Sequence, residues 1–508
     1  MFLTSSYPAH SLALTQSVFP VQGLPTELLC RVLLAARDVQ AVEEVADIYC
    51  FETTPPVPLV VSSVCQQWRR IALDEPRLWC YLRVSTWKRN YATGRSYQLL
   101  NCFATRAKSV AMDLCIIVPE NTTSYHVKAC GTNAVELLHS IGANIRIRSL
   151  TLVIPDTVLS LFDQSTSTTS IFSHATLREL DLRIFWAYVP GDRYDDPDSL
   201  PALSEAQNVE SIELRSRVHL PLLFGSATRG RPPVAPRWYA LRRFVMEIID
   251  GAREVDALYD ALANSPLLEE LTVTSEVRRR LYISDADFIL KSRRCTFPRL
   301  RMLVMQCPTS GYRMERFMGS LVAPELRSLT LCFPHINYCA LVEFLERSGF
   351  PCIEHLGLAI PRFGTPGAVD DLVASLKRLP TLLSVFLSNL PLNDAFAAAF
   401  RDNVDAFLPR LQHFKSIATN IGLDPGDVAD MLQVRRQHSA AGTGPAFIAE
   451  LHFATGPDVP ESDAAWWRLD EMKMEGWLKL CAAPLDLQLD DWDILWARCE
   501  EEDAYNYY

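Results

Sequence analysis

Long apolar segments are missing from this 508-residue chain, which has no run of eighteen consecutive apolar residues. A helix that crosses a bilayer needs about 20 such residues, so we expect no membrane-spanning segment. The N-terminal tail, residues 1–22, also lacks a basic start followed by an apolar run, and it therefore does not indicate a secretory signal. These absences predict a protein of the cytoplasm and/or the nucleus with no membrane partner.

Motifs for cofactor binding, metal binding and catalysis are missing as well. The sequence has no Gly-x-Gly-x-x-Gly, no Gly-x-x-x-x-Gly-Lys, no Gly-x-Ser-x-Gly and no His-Glu-x-x-His. Its 14 cysteines include no Cys-x-x-Cys pair, and no histidine stands near them at the spacing of a zinc site. We therefore expect no catalytic residue, no metal and no cofactor, and we interpret the protein as a non-enzyme with buried, reduced thiols.

Basic residues are fewer than acidic ones: the chain has 49 Lys and Arg and 60 Asp and Glu, which gives a net charge of −11. That balance argues against nucleic acid as a partner. One region inverts it: between residues 278 and 301 lie eight basic residues against two acidic ones. The region is open to three interpretations: a solvated loop and helix face, a docking patch for an acidic or phosphorylated segment, or a resting place for the chain's own acidic tail. The candidate patch comprises Arg278, Arg279, Arg280, Arg293 and Arg294.

Residues 23–84 contain the most specific pattern in the chain. It consists of Leu-Pro-x-Glu-Leu-Leu from Leu24, Val-Cys-x-x-Trp-Arg-x-Ile-Ala from Val64, and Pro-x-Leu-Trp from Pro76. Proline at a helix start and apolar residues at three- and four-residue spacing predict short amphipathic helices, the second of which carries Val64, Cys65 and Trp68 on one apolar stripe. Three short helices can barely fill a core, so exposed apolar surface, and with it a partner site, is expected. An ordinary helical cap around a buried Trp is the alternative.

The combined pattern resembles the F-box, the helical module that docks substrate receptors onto the Skp adaptor of cullin-based ubiquitin ligases. The resemblance implies adaptor-binding residues at the matching positions. These are Leu24, Pro25, Leu28, Leu29, Val32, Val64, Cys65 and Trp68. The sequence departs from the compact motif by a long internal segment, about residues 37–58, which we interpret as a loop similar to those of F-box proteins from mushroom-forming fungi (basidiomycetes).

A six-residue cassette recurs behind this module: apolar, two residues, apolar, one residue, apolar. From residue 147 to residue 387 its successive starts lie 26 to 32 residues apart, a period typical of a solenoid. The instances are Ile147/Leu150/Leu152, Leu177/Leu180/Leu182, Val209/Ile212/Leu214, Leu241/Phe244/Met246, Leu268/Leu271/Val273, Leu300/Leu303/Met305, Leu326/Leu329/Leu331, Ile353/Leu356/Leu358, Leu382/Val385/Leu387 and Ile448/Leu451/Phe453.

Alternation inside the cassette predicts a strand with its leucines buried and with residues such as Asp181 and Thr330 on the other face, and amphipathic stretches between cassettes predict helices. This plan resembles a leucine-rich repeat, and we predict an α/β solenoid over residues 107–460 with a mainly parallel sheet and outer helices. A doubly wound α/β domain is the alternative. Polar excursions, among them residues 435–445, are expected as rim loops. We expect a capping helix over residues 461–483 and an acidic, aromatic tail over residues 484–508.

An F-box followed by leucine-rich-like repeats resembles the substrate receptors of Skp–cullin–F-box ligases. The resemblance implies a receptor that docks on a Skp-type adaptor, and through it on a cullin, and holds an unknown protein substrate for ubiquitination. Two other classes remain open from the residues alone: an F-box scaffold or interaction protein with no ligase role, and an enzyme built on an α/β domain.

Overall fold

The computed structural model describes most of the chain from residue 24 to residue 482. The described residues are 24–46, 55–86, 92–118, 124–141, 145–155, 158, 172, 174–185, 203, 206–216, 238–248, 262–275, 294–306, 318–333, 336–360, 368–390, 392–418, 425–440, 446–453 and 464–482. The predicted tails, 1–22 and 484–508, lie outside them.

The N-terminal module is a set of short helices. They are α1 (Thr26–Ala46), α2 (Val57–Val64), α3 (Gln66–Asp74) and a 3-10 turn (Pro76–Trp79). The predicted loop over 37–58 is wrong for much of its length, because α1 continues to Ala46 and α2 already begins at Val57. Residues 37–46 contain neither Pro nor Gly, so nothing in their sequence ends the helix earlier.

In the described part of the chain, fourteen strands follow the module in one sheet, and every neighbouring pair is parallel. In chain order the strands are β1 (Tyr81–Ser85), β2 (Met112–Ile117), β3 (Ile147–Pro155), β4 (Glu179–Phe185), β5 (Ser211–Ser216), β6 (Arg243–Ile248), β7 (Glu270–Ser275), β9 (Met302–Gln306), β11 (Ser328–Cys332), β12 (His355–Ala359), β13 (Ser384–Ser388), β14 (His413–Ala418), β15 (Ile448–Phe453) and β16 (Leu478–Ala482). Two short strands, β8 (Cys295–Thr296) and β10 (Leu321–Val322), form a separate pair.

The order of strands in the sheet follows their order in the chain. Such sequential pairing confirms an α/β solenoid-like array and excludes the doubly wound alternative, whose strand order reverses. The array is longer than expected. It begins at β1, inside the range assigned to the module, and ends at β16, beyond residue 460.

Helices pack on one face of this sheet. The described ones after the module are α4 (Ala92–Ala107), α5 (Ser124–Ser140), α6 (Tyr338–Arg347), α7 (Ala368–Leu376), α8 (Asp394–Asp402), α9 (Pro425–Ala440) and α10 (Ala464–Met474). Buried residues such as Phe344 on α6 and Phe400 on α8 belong to the same apolar cluster as the inward residues of the strands. The core therefore lies between the sheet and its helices, as the outer-helix plan predicts.

The cassette residues form that core. Every cassette residue from Ile147 to Leu387 is at most 2% exposed. Asp181 points to the second face of the sheet, as expected, and Thr330 occupies the equivalent register position but is itself buried. The last cassette was assigned two residues out of register, because Ala449 and Leu451 align with Val385 and Leu387 of the preceding cassette. Ile448, which was assigned as its first residue, is 40% exposed.

Two further expectations about the C-terminal part are wrong. Residues 461–483 are not one capping helix, since α10 is followed by β16, where Leu478 and Lys479 begin an inward–outward alternation. The polar stretch 435–445 is not wholly a rim loop, because its first residues belong to α9.

Arg435 explains why the polar stretch 435–445 was wrongly predicted to be a loop at the surface. The side chain is 4% exposed, and burial lowers its pKa to about 10, which leaves it charged at neutral pH. Its guanidinium lies 4.6 Å from the centroid of the Phe400 ring and donates to the carbonyls that end α8 and the turn after it. Those carbonyls are of Phe400 (3.3 Å), Val404 (3.3 Å), Leu408 (3.0 Å) and Phe407.

Charged side chains form a ladder along the edge of the sheet where the strands begin. From β4 to β14 of this sheet, the residue just before the strand donates its amide to the carbonyl of its counterpart in the preceding repeat. Side chains at these positions pair across neighbouring repeats. The pairs are Arg178–Glu210 (3.2 Å), Arg242–Glu269 (2.6 Å) and Arg327–Glu354 (3.2 Å). The ladder places Arg301, from the basic region, between Glu269 and Arg327.

Two neighbouring residues of β7 test which face of the sheet is buried in the core. Replacing the buried Leu271 by Ala is expected to lower the free energy of unfolding by about 2–5 kcal/mol, because it opens a cavity in the core. Replacing the adjacent Thr272 by Ala, on the second face, is expected to cost less than about 1 kcal/mol. Urea unfolding followed by circular dichroism measures both, and equal costs would contradict the assignment of faces.

Candidate functional site

The N-terminal module is joined firmly to the sheet. Trp79 is fully buried, its Nε1 donates to the carbonyl of Ala72 at 2.6 Å, and its ring meets Phe103 of α4 edge-on at 5.1 Å. The guanidinium of Arg106, also on α4, lies 4.3 Å from the centroid of the Trp79 ring. Because α4 also packs against β1, these contacts connect the module directly to the first repeat.

Helix α1 is held on two sides. The Arg37 guanidinium donates to the carbonyl of Arg77 and contacts Cys80 Sγ at 3.0 Å, which fixes α1 on the 3-10 turn. Further along α1, Gln40 Oε1 accepts from the amide of Val57 at 3.0 Å and sets the start of α2 beside α1. Leu29 and Leu33 enter the core on the face between these contacts.

A second apolar stripe on α1 is exposed. Leu28 is 46% exposed, Val32 56% and Val39 55%, and their spacing places them on one side of the helix. Helix α2 adds Val60, 44% exposed, and Val64, 56% exposed, one turn apart. Two neighbouring helices therefore carry apolar side chains that the module's own core does not use, which marks a surface suited to a partner.

The predicted adaptor-binding residues divide between surface and core. Exposed are Pro25, Leu28, Val32 and Val64; half-buried are Leu24, Cys65 and Trp68; buried is Leu29. Leu29 cannot reach a partner through its side chain, because it is 1% exposed, so its assignment as a contact is wrong and its part is to position α1. Sequence reasoning missed Val39, Leu59, Val60 and Leu73, all exposed; of these, Val60 could have been found from its i, i+4 spacing with the predicted Val64.

Cys65 is a helix cap rather than a side chain on an apolar stripe. The block interpreted as one helix is two, and Cys65 stands between them with extended backbone (φ −155°, ψ 173°). Its Sγ accepts from the amide of Trp68 at 3.5 Å, as an N-cap oxygen would. The hydroxyls of Ser62 and Ser63 bond back to the carbonyls of Leu59 and Val60 in the last turn of α2.

A cleft of about 600 Å³ lies where α1 begins beside α3. Its lining includes Cys30, Gln67, Arg70 and Glu75. Burial, followed by the charge of Glu75, raises the pKa of the Cys30 thiol, whereas the hydrogen bond from Arg77 lowers the pKa of Glu75. A thiol with a raised pKa is a poor nucleophile. Most of the residues that line the cleft are polar or charged, so the cleft is a polar surface next to the exposed apolar stripe.

The basic region is only partly described. Arg278, Arg279, Arg280 and Arg293 lie outside the described residues, and Arg294 is exposed just before β8. Among the described residues no group of three or more His, Cys, Asp or Glu could hold a metal ion. None of the described helices is long and apolar enough to cross a bilayer.

Comparison with models of known protein families finds no match, and no curated protein matches the sequence significantly. The case for a function therefore rests on the residues and their geometry.

The cap at Cys65 generates a stability prediction. Serine is a stronger N-cap than a thiol, so Cys65→Ser is expected to raise the free energy of unfolding by about 0.5 kcal/mol, and Cys65→Ala is expected to lower it. Chemical denaturation of both variants is the measurement. A packed apolar thiol would give the reverse ranking, with alanine tolerated better than serine.

Proposed function

We propose that this protein is the substrate-recognition subunit of a Skp–cullin–F-box ubiquitin ligase. The observation that carries the proposal is the exposed apolar stripe of Leu28 and Val32 on α1 with Val60 and Val64 on α2, within a pattern that resembles the F-box. Helices that leave this much apolar surface outside their own core are suited to a partner helix or groove. In the proposed complex that partner is a Skp-type adaptor, which connects the chain to a cullin.

The solenoid supports the second half of the proposal. A sheet of fourteen parallel strands backed by helices offers a long second face, on which a protein substrate could be held. In such a receptor the chain performs no chemistry of its own. It raises the effective concentration of the substrate near a ubiquitin-charged enzyme that the cullin recruits. An F-box scaffold with no ligase role would share the adaptor contact and lack the cullin-dependent transfer.

Adaptor binding is tested on the exposed residues. Val32→Asp together with Val64→Asp is expected to weaken capture of a purified Skp-type adaptor at least about 10-fold, because both changes put a carboxylate into an apolar contact. Both side chains are more than half exposed, so the stability of the fold is expected to stay within about 0.5 kcal/mol.

Met474→Asp is the matched control, because Met474 is exposed and apolar but lies on α10, beyond the last cassette. Full adaptor capture by the double variant would overturn the assignment. Capture without cullin-dependent ubiquitin transfer in a reconstituted complex would favour the scaffold.

The substrate is proposed to bind the solenoid, with an acidic or phosphorylated segment on the basic region around Arg278–Arg280. Arginine forks match carboxylate and phosphate oxygens, and the attraction fades with salt because charges are screened beyond about 8 Å at physiological ionic strength. Changing Arg278, Arg279 and Arg280 to Ser is expected to remove the salt-sensitive members of the set of proteins captured from cells. An unchanged set would show that the region is solvated surface.

A further inference from the structure

Charge is divided unevenly along the second face of the sheet. On β4–β7 the side chains that point to this face include five carboxylates and three arginines. They are Glu179, Asp181, Glu213, Glu247 and Glu270, with Arg183, Arg215 and Arg243. On β13–β16 the described side chains of this face include one carboxylate, Glu450, and two lysines, Lys415 and Lys479, with His413 and His452. The C-terminal end of this face is therefore basic in a chain whose net charge is −11.

The basic end is built around Glu450. Its Oε1 lies 3.0 Å from Lys415 Nζ and 2.5 Å from His452 Nε2, and Lys479 stands opposite Glu450 in the register of β15 and β16. The hydrogen bond from His452, followed by that from Lys415, lowers the pKa of Glu450 to about 2. Among the described residues of β13–β16, Glu450 is thus the one carboxylate of this face beside two lysines, so the described lysines and carboxylates there sum to a positive charge. Ile448, exposed on the same face one step back along β15, adds apolar surface.

We propose that the chain's own acidic tail, residues 484–508, occupies this basic end of the second face. The charges are complementary, because from Asp486 to Tyr508 the tail has eight carboxylates against one arginine, Arg498. The acidic strands β4–β7 repel such a segment, whereas the face of β13–β16 attracts it. Trp492 stands among the carboxylates and gives the segment an apolar side chain for Ile448.

The connection between sheet and tail has the right length. Strand β16 ends at Ala482, one residue before Ala483 and two before Pro484. Neighbouring strands lie about 4.8 Å apart, so Lys415 on β14 is about 10 Å across the sheet from β16. An extended chain covers about 3.3 Å per residue, so the carboxylates of Asp490, Asp491 and Asp493 are within reach of Lys415 without strain.

Zero-length carbodiimide cross-linking of the full-length protein tests this placement. The reagent joins a carboxylate to a lysine amine only when the two are in contact, and mass spectrometry identifies the joined peptides. Lys415 is the diagnostic partner, because Lys479 is close to the tail in sequence and would react with a freely moving one. We expect a link between Lys415 and Asp490, Asp491 or Asp493 within one chain at low protein concentration, and at least a fivefold loss of it in 1 M salt.

A charge exchange provides the second readout. Lys479→Glu with Lys415→Gln is expected to speed chymotryptic cleavage at Trp492 several-fold, because the tail is released. Adding Asp490→Lys, Asp491→Lys and Asp493→Lys is expected to restore slow cleavage, since the tail is now basic and this end of the face acidic. Neither readout requires the adaptor or a ligase, so failure here is separate from failure of the proposed function.

Three outcomes would overturn the proposal. Links from the tail to Lys291 in place of Lys415 would put the tail on the basic region of residues 278–301. Links found only between differently labelled copies would make a second chain the occupant. No link to Lys415, with cleavage equally fast in the native sequence and the lysine variants, would leave this end of the face without the tail.

Discussion

The structure depends on the burial of one small set of apolar side chains per repeat against the next repeat. A single strand with its cassette cannot cover its inward residues, so each becomes buried only when the neighbouring strand and the helices are in place. Because the inward residues must alternate in step on every strand, a slip of one residue would turn an entire row outward. This requirement explains why strand order in the sheet follows chain order without exception, although the segments between strands differ widely in length and polarity.

Polar groups at the edges of the array complement that apolar requirement. The ladder of amide-to-carbonyl bonds before strands β4 to β14 ties successive repeats together, and its Arg–Glu pairs add charge matching at the same positions. Such exposed pairs contribute little each, about 0.2–1 kcal/mol, and their value lies in favouring one alignment over its neighbours. Arg435 serves differently. Its buried guanidinium satisfies carbonyls at the end of α8, which would otherwise lack partners in the core.

The sequence predicted the parts of the fold that repeat. The spacing of Leu329 and Leu331, seen again and again, was enough to predict parallel strands with buried leucines. It did not locate the ends of the array. The cassette of β1, Trp79/Leu82/Val84, lies inside the range assigned to the module, and β16 lacks the first apolar residue of a cassette, because Glu475 stands there. It also misplaced Arg435, because a charged residue in a polar stretch looks like surface until the carbonyls it binds are known.

The candidate site shows a similar division. The exposed residues Leu28, Val32 and Val64 were predicted from the motif, yet the same spacing could not tell the buried Leu29 from its exposed neighbour, because two apolar stripes lie side by side on α1. Cys65 was assigned to the wrong kind of position because a helix break with no Pro or Gly leaves little trace in a sequence. Whether an apolar residue faces the core or a partner is decided by the packing of α1 against the other helices, which no local pattern contains.

The anchoring of the module through Trp79 has a geometric consequence. With the helices of the module packed against the first repeat, the array extends from them as an arm of defined reach. Thirteen strand-to-strand steps of about 4.8 Å separate β1 from β16, a path of about 60 Å along the sheet. A ligand bound to one strand of the sheet would lie at a fixed distance from a partner bound to α1 and α2. Moving the binding site by one repeat would change that distance by about 5 Å. The position of a strand in the sheet therefore determines its distance from the N-terminal module.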